Sequence, residues 1–214
     1  MKGNLLGLLI LPAFIFAVHL PAKAVQKHEE HQPVKSNPKN IIRVPLTRQA
    51  TDYTCGVSAL QSVLAYYGDE VREDNLSRLL KANPQEGTSY LRIAEYARQQ
   101  KYRVELFKHM GIKKLRQCID KGLPVICLIQ AWADGRVDYA GDWKDGHYVV
   151  AIGYDDRRVY FMDPSTTGNY TFISTPEFLK RWHDTDGKER LVNFGMTISK
   201  GKPVFNPAEF KPID

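Results

Sequence analysis

The order of the apolar patterns along the chain is the feature that most constrains its fold. In the first half, apolar residues recur at helical spacing, as at Val57, Leu60, Val63, Leu64 and Tyr67. In the second half, continuous apolar runs at 124–130 and 147–154 are typical of buried strands. Helices that precede the strands, instead of alternating with them, favour an α+β fold with an antiparallel sheet.

Periodicity, capping residues and turn residues together predict the individual elements. Helices are expected at 57–67, 73–81, 90–100, 112–121 and 176–183. Strands are expected at 41–46, 102–107, 124–130, 147–154, 158–163, 169–173 and 195–199. Asp155, Asp156 and Arg157 form the predicted turn of a β-hairpin between two of these strands.

Residues 1–24 are expected to be a signal peptide and not part of the fold. Lys2 precedes an apolar run at 5–18, and Ala-Lys-Ala at 22–24 is a small-x-small cleavage site. We therefore expect export to the periplasm or secretion, with cleavage after Ala24. The alternative is an uncleaved membrane anchor, which the short apolar run and Pro12 within it disfavour.

Composition limits the domain organisation and the partners. Residues 25–40 contain almost no apolar side chain and are expected to be a disordered leader, which leaves 41–214 as the folded domain. Loss of residues 1–24 would lower the net charge from +6 to +4, which is too mild to indicate nucleic-acid binding. The HEEH string at 28–31 lacks the spacing of a helical zinc site, so no metal is expected.

Cys55 is the first candidate for chemistry. It lies where the polar segment 47–54 meets the predicted apolar helix. A thiol at a helix N-terminus is close to the positive end of the helix dipole, which stabilises the nucleophilic thiolate. Gly56 would let a substrate approach the backbone closely. A small buried core cysteine fits the position equally well.

His147 and Asp163 are the second and third candidates. With Asp155 and Asp156 at the hairpin turn, Asp163 lies beside His147 on the neighbouring strand, within side-chain reach. A carboxylate there would hold one imidazole nitrogen and leave the other free to work. Taken alone, a histidine at the rim of a core or an Asp-Pro turn is more often structural.

Gln49 is the fourth candidate, six residues before Cys55. Its side-chain amide would donate to a developing oxyanion, with the backbone N–H of Cys55 as the second donor. A surface glutamine is the alternative. Together the four residues supply an oxyanion donor, a nucleophile, a base and an orienting acid. An early cysteine on a helix and a late histidine on a sheet form the papain-like arrangement.

The motifs that carry these residues are Gln49-x5-Cys55-Gly56, Gly146-His147-Tyr148-Val149-Val150 and Asp163-Pro164-Ser165. In this order they resemble the double-glycine leader peptidases, the papain-like cysteine peptidase domains known from bacteriocin-exporting ABC transporters. The resemblance runs from about residue 45 to residue 182. It implies a papain-like fold in which a helical half, with the nucleophile at a helix N-terminus, packs on an antiparallel sheet. It also implies nucleophile Cys55, base His147, orienting acid Asp163 and oxyanion donor Gln49.

The sequence departs from that family in three respects. Thr54 precedes the cysteine where family members commonly have aspartate, and Asp52 lies upstream. The chain has no transporter spans and no GxxxxGK phosphate-binding loop, so we do not expect it to hydrolyse ATP. The predicted signal peptide would export the domain, whereas exporter peptidase domains act on the cytoplasmic side. We therefore expect a secreted, stand-alone relative.

The expected reaction is hydrolysis of a peptide bond in a peptide or protein substrate through a thioester intermediate. The same residues could instead transfer the acyl group to an amine, as in a transpeptidase or an amide-forming enzyme. A third alternative is a domain that binds peptides without cutting them. No organic cofactor, no nucleic-acid partner and, after signal cleavage, no stable membrane insertion is expected.

The remaining reactive or aromatic residues are assigned mainly to packing. Cys118 and Cys127 are expected to be core thiols, with a disulfide between them as the alternative in an oxidising compartment. Trp132 and Trp143 either line a substrate cleft or pack in the core. The pair His183-Asp184 is expected to end a helix and not to form a second site.

Overall fold

The computed structural model describes Pro38, residues 41–210 and residues 212–213. The predicted signal peptide and nearly all of the predicted leader lie outside the described residues. Within those residues no helix is both long and apolar enough to cross a bilayer. The helices are α1 (Cys55–Tyr66), α2 (Glu73–Leu80), α3 (Tyr90–Gln99), α4 (Ile112–Asp120) and α5 (Thr175–Arg181). The strands are β1 (Arg103–Phe107), β2 (Val125–Gln130), β3 (Gly146–Tyr154), β4 (Arg158–Met162), β5 (Thr171–Ser174), β6 (His183–Asp186), β7 (Glu189–Val192) and β8 (Gly195–Ser199).

Six of the strands form one antiparallel sheet in the order β1-β8-β2-β3-β4-β5. The two central strands are the apolar runs of the sequence, and every residue of β2 is buried. The helix α1 packs against β3, α4 packs against β2 and β3, and α5 contacts β2, β4 and β5. The predicted α+β organisation, with an antiparallel sheet after the first helices, is confirmed.

The helix α1 is the best-buried helix and fixes one side of the site. Ten of its twelve residues are buried, which explains the apolar pattern that predicted it. Its first turn lies close to β3, because a Cβ on Gly56 would come within 2.9 Å of the Tyr148 ring and 2.8 Å of Thr88. The chain leaves the helix through Gly68, whose φ of +96° favours glycine.

Segment 41–46 was expected to be a strand, and that prediction is wrong. Ile42 and Val44 are buried, and the Ile42 N–H donates to the Ile152 carbonyl of β3 at 2.8 Å. The segment is therefore extended and packed, but it does not continue as a ladder. The strand β3 is already paired with β2 and β4 on its two sides, so it has no free edge for a further ladder.

The two-stranded sheet β6–β7 was not predicted. Its strands, His-Asp-Thr-Asp and Glu-Arg-Leu-Val, are too polar to show the apolar alternation of a strand. Pairing of His183 with Val192 and of Asp186 with Glu189 forms a short hairpin that turns through Gly187. This hairpin packs on β2 and β3 beside the start of β3.

Candidate active site

Cys55 is the first residue of α1 and is 8% exposed. Thr54 precedes the helix, but its hydroxyl does not cap the first-turn amides. It accepts instead from the Thr51 N–H at 3.1 Å. The N–H groups at the start of α1 therefore keep their capacity to stabilise negative charge beside the Cys55 sulfur.

His147 is the second residue of β3 and is 5% exposed. Its Nε2 lies 2.7 Å from Asp163 Oδ1, which leaves Nδ1 outside this contact. Burial alone would lower the pKa of His147. Hydrogen bonds to Asp163 and to the Cys55 side chain outweigh burial and raise that pKa to about 9. The imidazole is therefore protonated at neutral pH, between a carboxylate and a sulfur.

Asp163 follows the end of β4 and is 6% exposed. Its carboxylate accepts the Ser165 N–H at 2.8 Å and the Thr166 hydroxyl at 3.2 Å, in addition to the imidazole. Burial acts to raise the pKa of Asp163, but the bond to His147 and the loop donors outweigh it, and the pKa is lowered. The carboxylate is thus ionised and fixed in orientation behind the ring.

The register of the β3–β4 hairpin differs from the predicted one. The predicted turn would place His147 opposite Pro164. In the structure Val150 faces Met162, one residue away from that register, and the ladder has an irregularity between Ala151 and Gly153. By that register His147 would face residue 165, so Asp163 lies diagonally on the same face and its side chain reaches the imidazole.

Gln49 is bound to the loop that follows Asp163. Its N–H donates to the Pro164 carbonyl at 3.1 Å, and its Oε1 accepts the Ser165 hydroxyl at 3.0 Å. Its Nε2 donates to the Thr51 carbonyl at 2.8 Å, and among the described residues its second amide hydrogen has no acceptor. The structure thus connects Gln49 with the Asp163 loop and with the segment that leads to Cys55. Among its described hydrogen bonds, none joins it to Cys55 itself.

A cleft of about 300 Å³ opens beside Cys55. It lies between the helical half of the chain and the sheet half. Its walls are residues 52–53, Cys55, residues 84–88, Leu128, Trp143, Lys144, Gly146, Tyr148 and residues 184–186. Trp143 is part of this wall, whereas Trp132 is 60% exposed and does not line the cleft.

His183 and Asp184 do not end a helix, so that prediction is corrected. They begin β6, and both are buried. The His183 ring packs on Trp143 with a centroid separation of 4.4 Å, and its Nε2 contacts the Asp142 carbonyl at 2.6 Å. Asp184 lines the cleft. Sequence analysis missed this role, because only the packing of the hairpin on β2 and β3 brings these polar residues to the cleft.

The three cysteines are all unpaired, so the alternative of a Cys118–Cys127 disulfide is not found. Both residues are buried, and burial raises the pKa of each thiol. This environment is the reverse of the one that activates a nucleophile. Among the described residues, no group of three or more His, Cys, Asp or Glu is placed to bind a metal ion.

Comparison with known proteins identifies the family. The sequence profile of the Peptidase_C39 like family matches residues 41–189. The chain is 29% identical over 136 residues to the Lactococcin-A transport/processing ATP-binding protein LcnC of Lactococcus lactis subsp. lactis. That match includes 64% of this chain but only 17% of the relative, so the chain corresponds to a small part of the transporter's length.

Solved structures share the fold. A C39-like peptidase from Bacillus anthracis aligns with 77% of this chain and 99% of its own, with a TM-score of 0.60 and 19% identity. A double glycine motif protease from an AMS/PCAT transporter, in complex with the leader peptide, aligns with 78% of this chain and 96% of its own. Its TM-score is 0.54 and its identity 19%. The chain therefore belongs to the Peptidase_C39 like family and has a papain-like α+β fold.

Proposed function

We propose that this protein hydrolyses peptide bonds with Cys55 as nucleophile, His147 as acid and base, and Asp163 as the orienting acid. The observation that carries the proposal is the buried His147–Asp163 pair, on which Cys55 also acts. The His147 Nε2 is 2.7 Å from Asp163 Oδ1, and the Cys55 side chain is among the groups that raise the pKa of His147. A nucleophile, a base and a residue that orients the base are the parts that covalent catalysis requires.

The reaction proceeds in two stages. The Cys55 sulfur, whose proton has passed to His147, attacks the peptide carbonyl carbon, and the oxyanion is held by the Cys55 backbone N–H and by the Gln49 side-chain amide. The His147 imidazolium donates its proton to the leaving amine as the C–N bond breaks, which leaves a thioester on Cys55. Water, deprotonated by His147, then attacks the thioester carbonyl, releasing the carboxylic acid and the thiol.

The substrate is proposed to be a peptide or protein segment in extended form. Two facts support this choice. The cleft beside Cys55 has one wall from the helical half and one from the sheet half, so a chain can pass between them. A relative of the same fold has been solved with a leader peptide bound.

Inactivation of Cys55 tests the function directly. We expect Cys55→Ala and His147→Ala each to lower kcat/KM by at least about 10³-fold, because each removes a reacting group. Both variants should stay folded. The matched control is Cys118→Ala, which removes a buried thiol remote from the proposed chemistry and should retain most activity. Equal activity of the wild type and Cys55→Ala, measured on a quenched-fluorescence peptide library, would contradict the proposal.

Analysis of the products distinguishes hydrolysis from acyl transfer. We expect mass spectrometry to find the free carboxylic acid as the main product even with an added primary amine. An amide with that amine as the main product would identify an acyltransferase with the same nucleophile. A domain that only binds peptides would form no product, and its Cys55 would resist alkylation by iodoacetamide.

Export is proposed as well, on the sequence pattern of residues 1–24 alone. Cleavage after Ala24 would make Val25 the N-terminus of the mature protein. N-terminal sequencing of the protein from the periplasmic and culture fractions tests this. An intact N-terminus recovered in the membrane fraction would support the anchored alternative.

A further inference from the structure

The cleft beside Cys55 carries more negative than positive charge. Four carboxylate residues line it, against one amine, Lys144. Two of the four, Asp52 and Glu86, are exposed, and their charges are screened by solvent. Asp186 already has partners, because its Oδ2 accepts the Ser89 hydroxyl and the Tyr90 N–H, both at 2.9 Å, at the start of α3. The fourth, Asp184, differs from these three.

Asp184 is 8% exposed and is held at the cleft wall by Gln130. The Gln130 side chain is fully buried in β2 and donates to Asp184 Oδ1 at 3.0 Å. The same amide donates to the His183 carbonyl at 3.0 Å and accepts the Asp145 N–H at 2.9 Å. Gln130 thus ties the β6–β7 hairpin to the segment that leads into His147. The same side chain fixes the position of the Asp184 carboxylate.

The carboxylate lies directly beside the catalytic strand. A Cβ on Gly146 would collide with both oxygens of Asp184, so a larger residue there would displace the carboxylate. Gly146 immediately precedes His147, and the same cleft is lined by Cys55. A substrate side chain in this cleft therefore belongs to a residue close to the scissile bond.

Within the part of the chain that the structure describes, no cation is paired with the buried Asp184 carboxylate. Burial, with the nearby carboxylates of Asp186 and Asp142, raises the pKa of Asp184 to about 6, although hydrogen bonds from the Thr185 N–H and the Gln130 amide act to lower it. A neutral amide compensates a buried carboxylate only in part, so a cation that enters the cleft gains a strong, poorly screened partner.

We propose that Asp184 determines specificity by receiving the cationic side chain of a lysine or arginine close to the scissile bond. The inference rests on the proposed peptidase function and adds the substrate class to it. Peptides with a basic residue at that position bind with an ion pair in the cleft. A neutral side chain of the same length leaves the carboxylate buried without a partner, which penalises its binding.

Matched peptides test this assignment. One series carries lysine at each position around the cleaved bond, and the other carries norleucine, which has the same carbon side chain without the ammonium group. For the wild type we expect kcat/KM to favour lysine by at least about 10-fold at one position. In Asp184→Asn the ratio should fall to within about 3-fold of unity, because the amide keeps the acceptor for Gln130 but loses the charge.

The control is Asp134→Asn, which removes an exposed carboxylate of the loop before Gly146 and does not line the cleft. It should keep the wild-type preference for lysine. Circular dichroism and alkylation of Cys55 establish that each variant is folded. If Asp184→Asn does not fold, the wild type alone still tests the inference. A ratio of kcat/KM for lysine to kcat/KM for norleucine near one at every position overturns it. That result leaves the peptidase proposal intact, whereas activity in Cys55→Ala overturns the proposed function itself.

Discussion

At His147, burial and hydrogen bonding act in opposite directions on one imidazole. Burial disfavours the cation, yet Asp163 on one nitrogen and the Cys55 sulfur nearby make the cation the stable form, with a pKa of about 9. The proposed proton donor of the first stage is thus present before substrate arrives. The proposed proton transfer therefore depends on how Asp163 and Cys55 act on the His147 imidazole.

Asp163→Asn weakens the contact between residue 163 and the His147 imidazole. The amide has the size of the carboxylate but carries no charge, so the pKa of His147 should fall toward its ordinary value, visible in an NMR titration of its ring protons. We expect kcat/KM to drop by about 10²-fold, less than in Cys55→Ala. Asp120→Asn, an exposed aspartate bonded to the Tyr154 hydroxyl at 2.8 Å, serves as the control. An unchanged His147 titration in Asp163→Asn would contradict the role of Asp163.

Among the elements, prediction succeeded where burial leaves a pattern in the sequence. The helix α1 and the strands β2 and β3 are apolar because they are buried, and each was predicted within one or two residues of its observed ends. The strands of the β6–β7 hairpin are polar and are recognised only by their backbone pairing, so they leave no apolar pattern in the sequence. The segment 41–46 shows the opposite error, since its apolar residues are buried without a ladder.

The contact between α1 and β3 can be tested through Gly56. In Gly56→Ala the new methyl group meets Thr88 and the Tyr148 ring at under 3 Å, so the first turn of the helix must move. We expect a loss of about 1–3 kcal/mol in the free energy of unfolding and a disproportionate loss of activity, because Cys55 moves with it. Urea denaturation and peptide cleavage are measured together. Gly111→Ala, before α4 and with open space around its Cβ, is the matched control and should change neither quantity much.

At the scale of the whole molecule, the buried His147–Asp163 pair couples folding to pH. The pKa of His147 rises from 6.5 in the unfolded chain to about 9 in the folded protein, so the folded state binds the proton more tightly. This contribution to stability is fully present below pH 6.5 and is lost as the pH rises through about 9. The pKa of Asp163 is lowered in the folded protein, so its contribution to stability has the opposite pH dependence and is lost as the pH falls into the acid range.

Unfolding free energies at pH 6 and pH 9.5 measure this coupling. Between pH 6 and pH 9.5 the unfolding free energy of the wild type should fall by at most about 3 kcal/mol more than that of His147→Ala, because the variant has no imidazole at this position to titrate. Two parallel pH profiles would refute the coupling. Cys118→Ala, which keeps the pair, should follow the wild-type profile.

The sequence by itself determined the α+β class, the central elements and the three motifs that carry Gln49, Cys55, His147 and Asp163. It could do so because burial imposes a periodicity on helices and strands, and because a hairpin turn limits which residues face each other across it. Only the tertiary structure decided the one-residue register shift, the attachment of Gln49 to the Asp163 loop and the place of Asp184 in the cleft. These depend on contacts between segments far apart in the chain, and the polar residues that make them leave no local pattern from which their partners could be inferred.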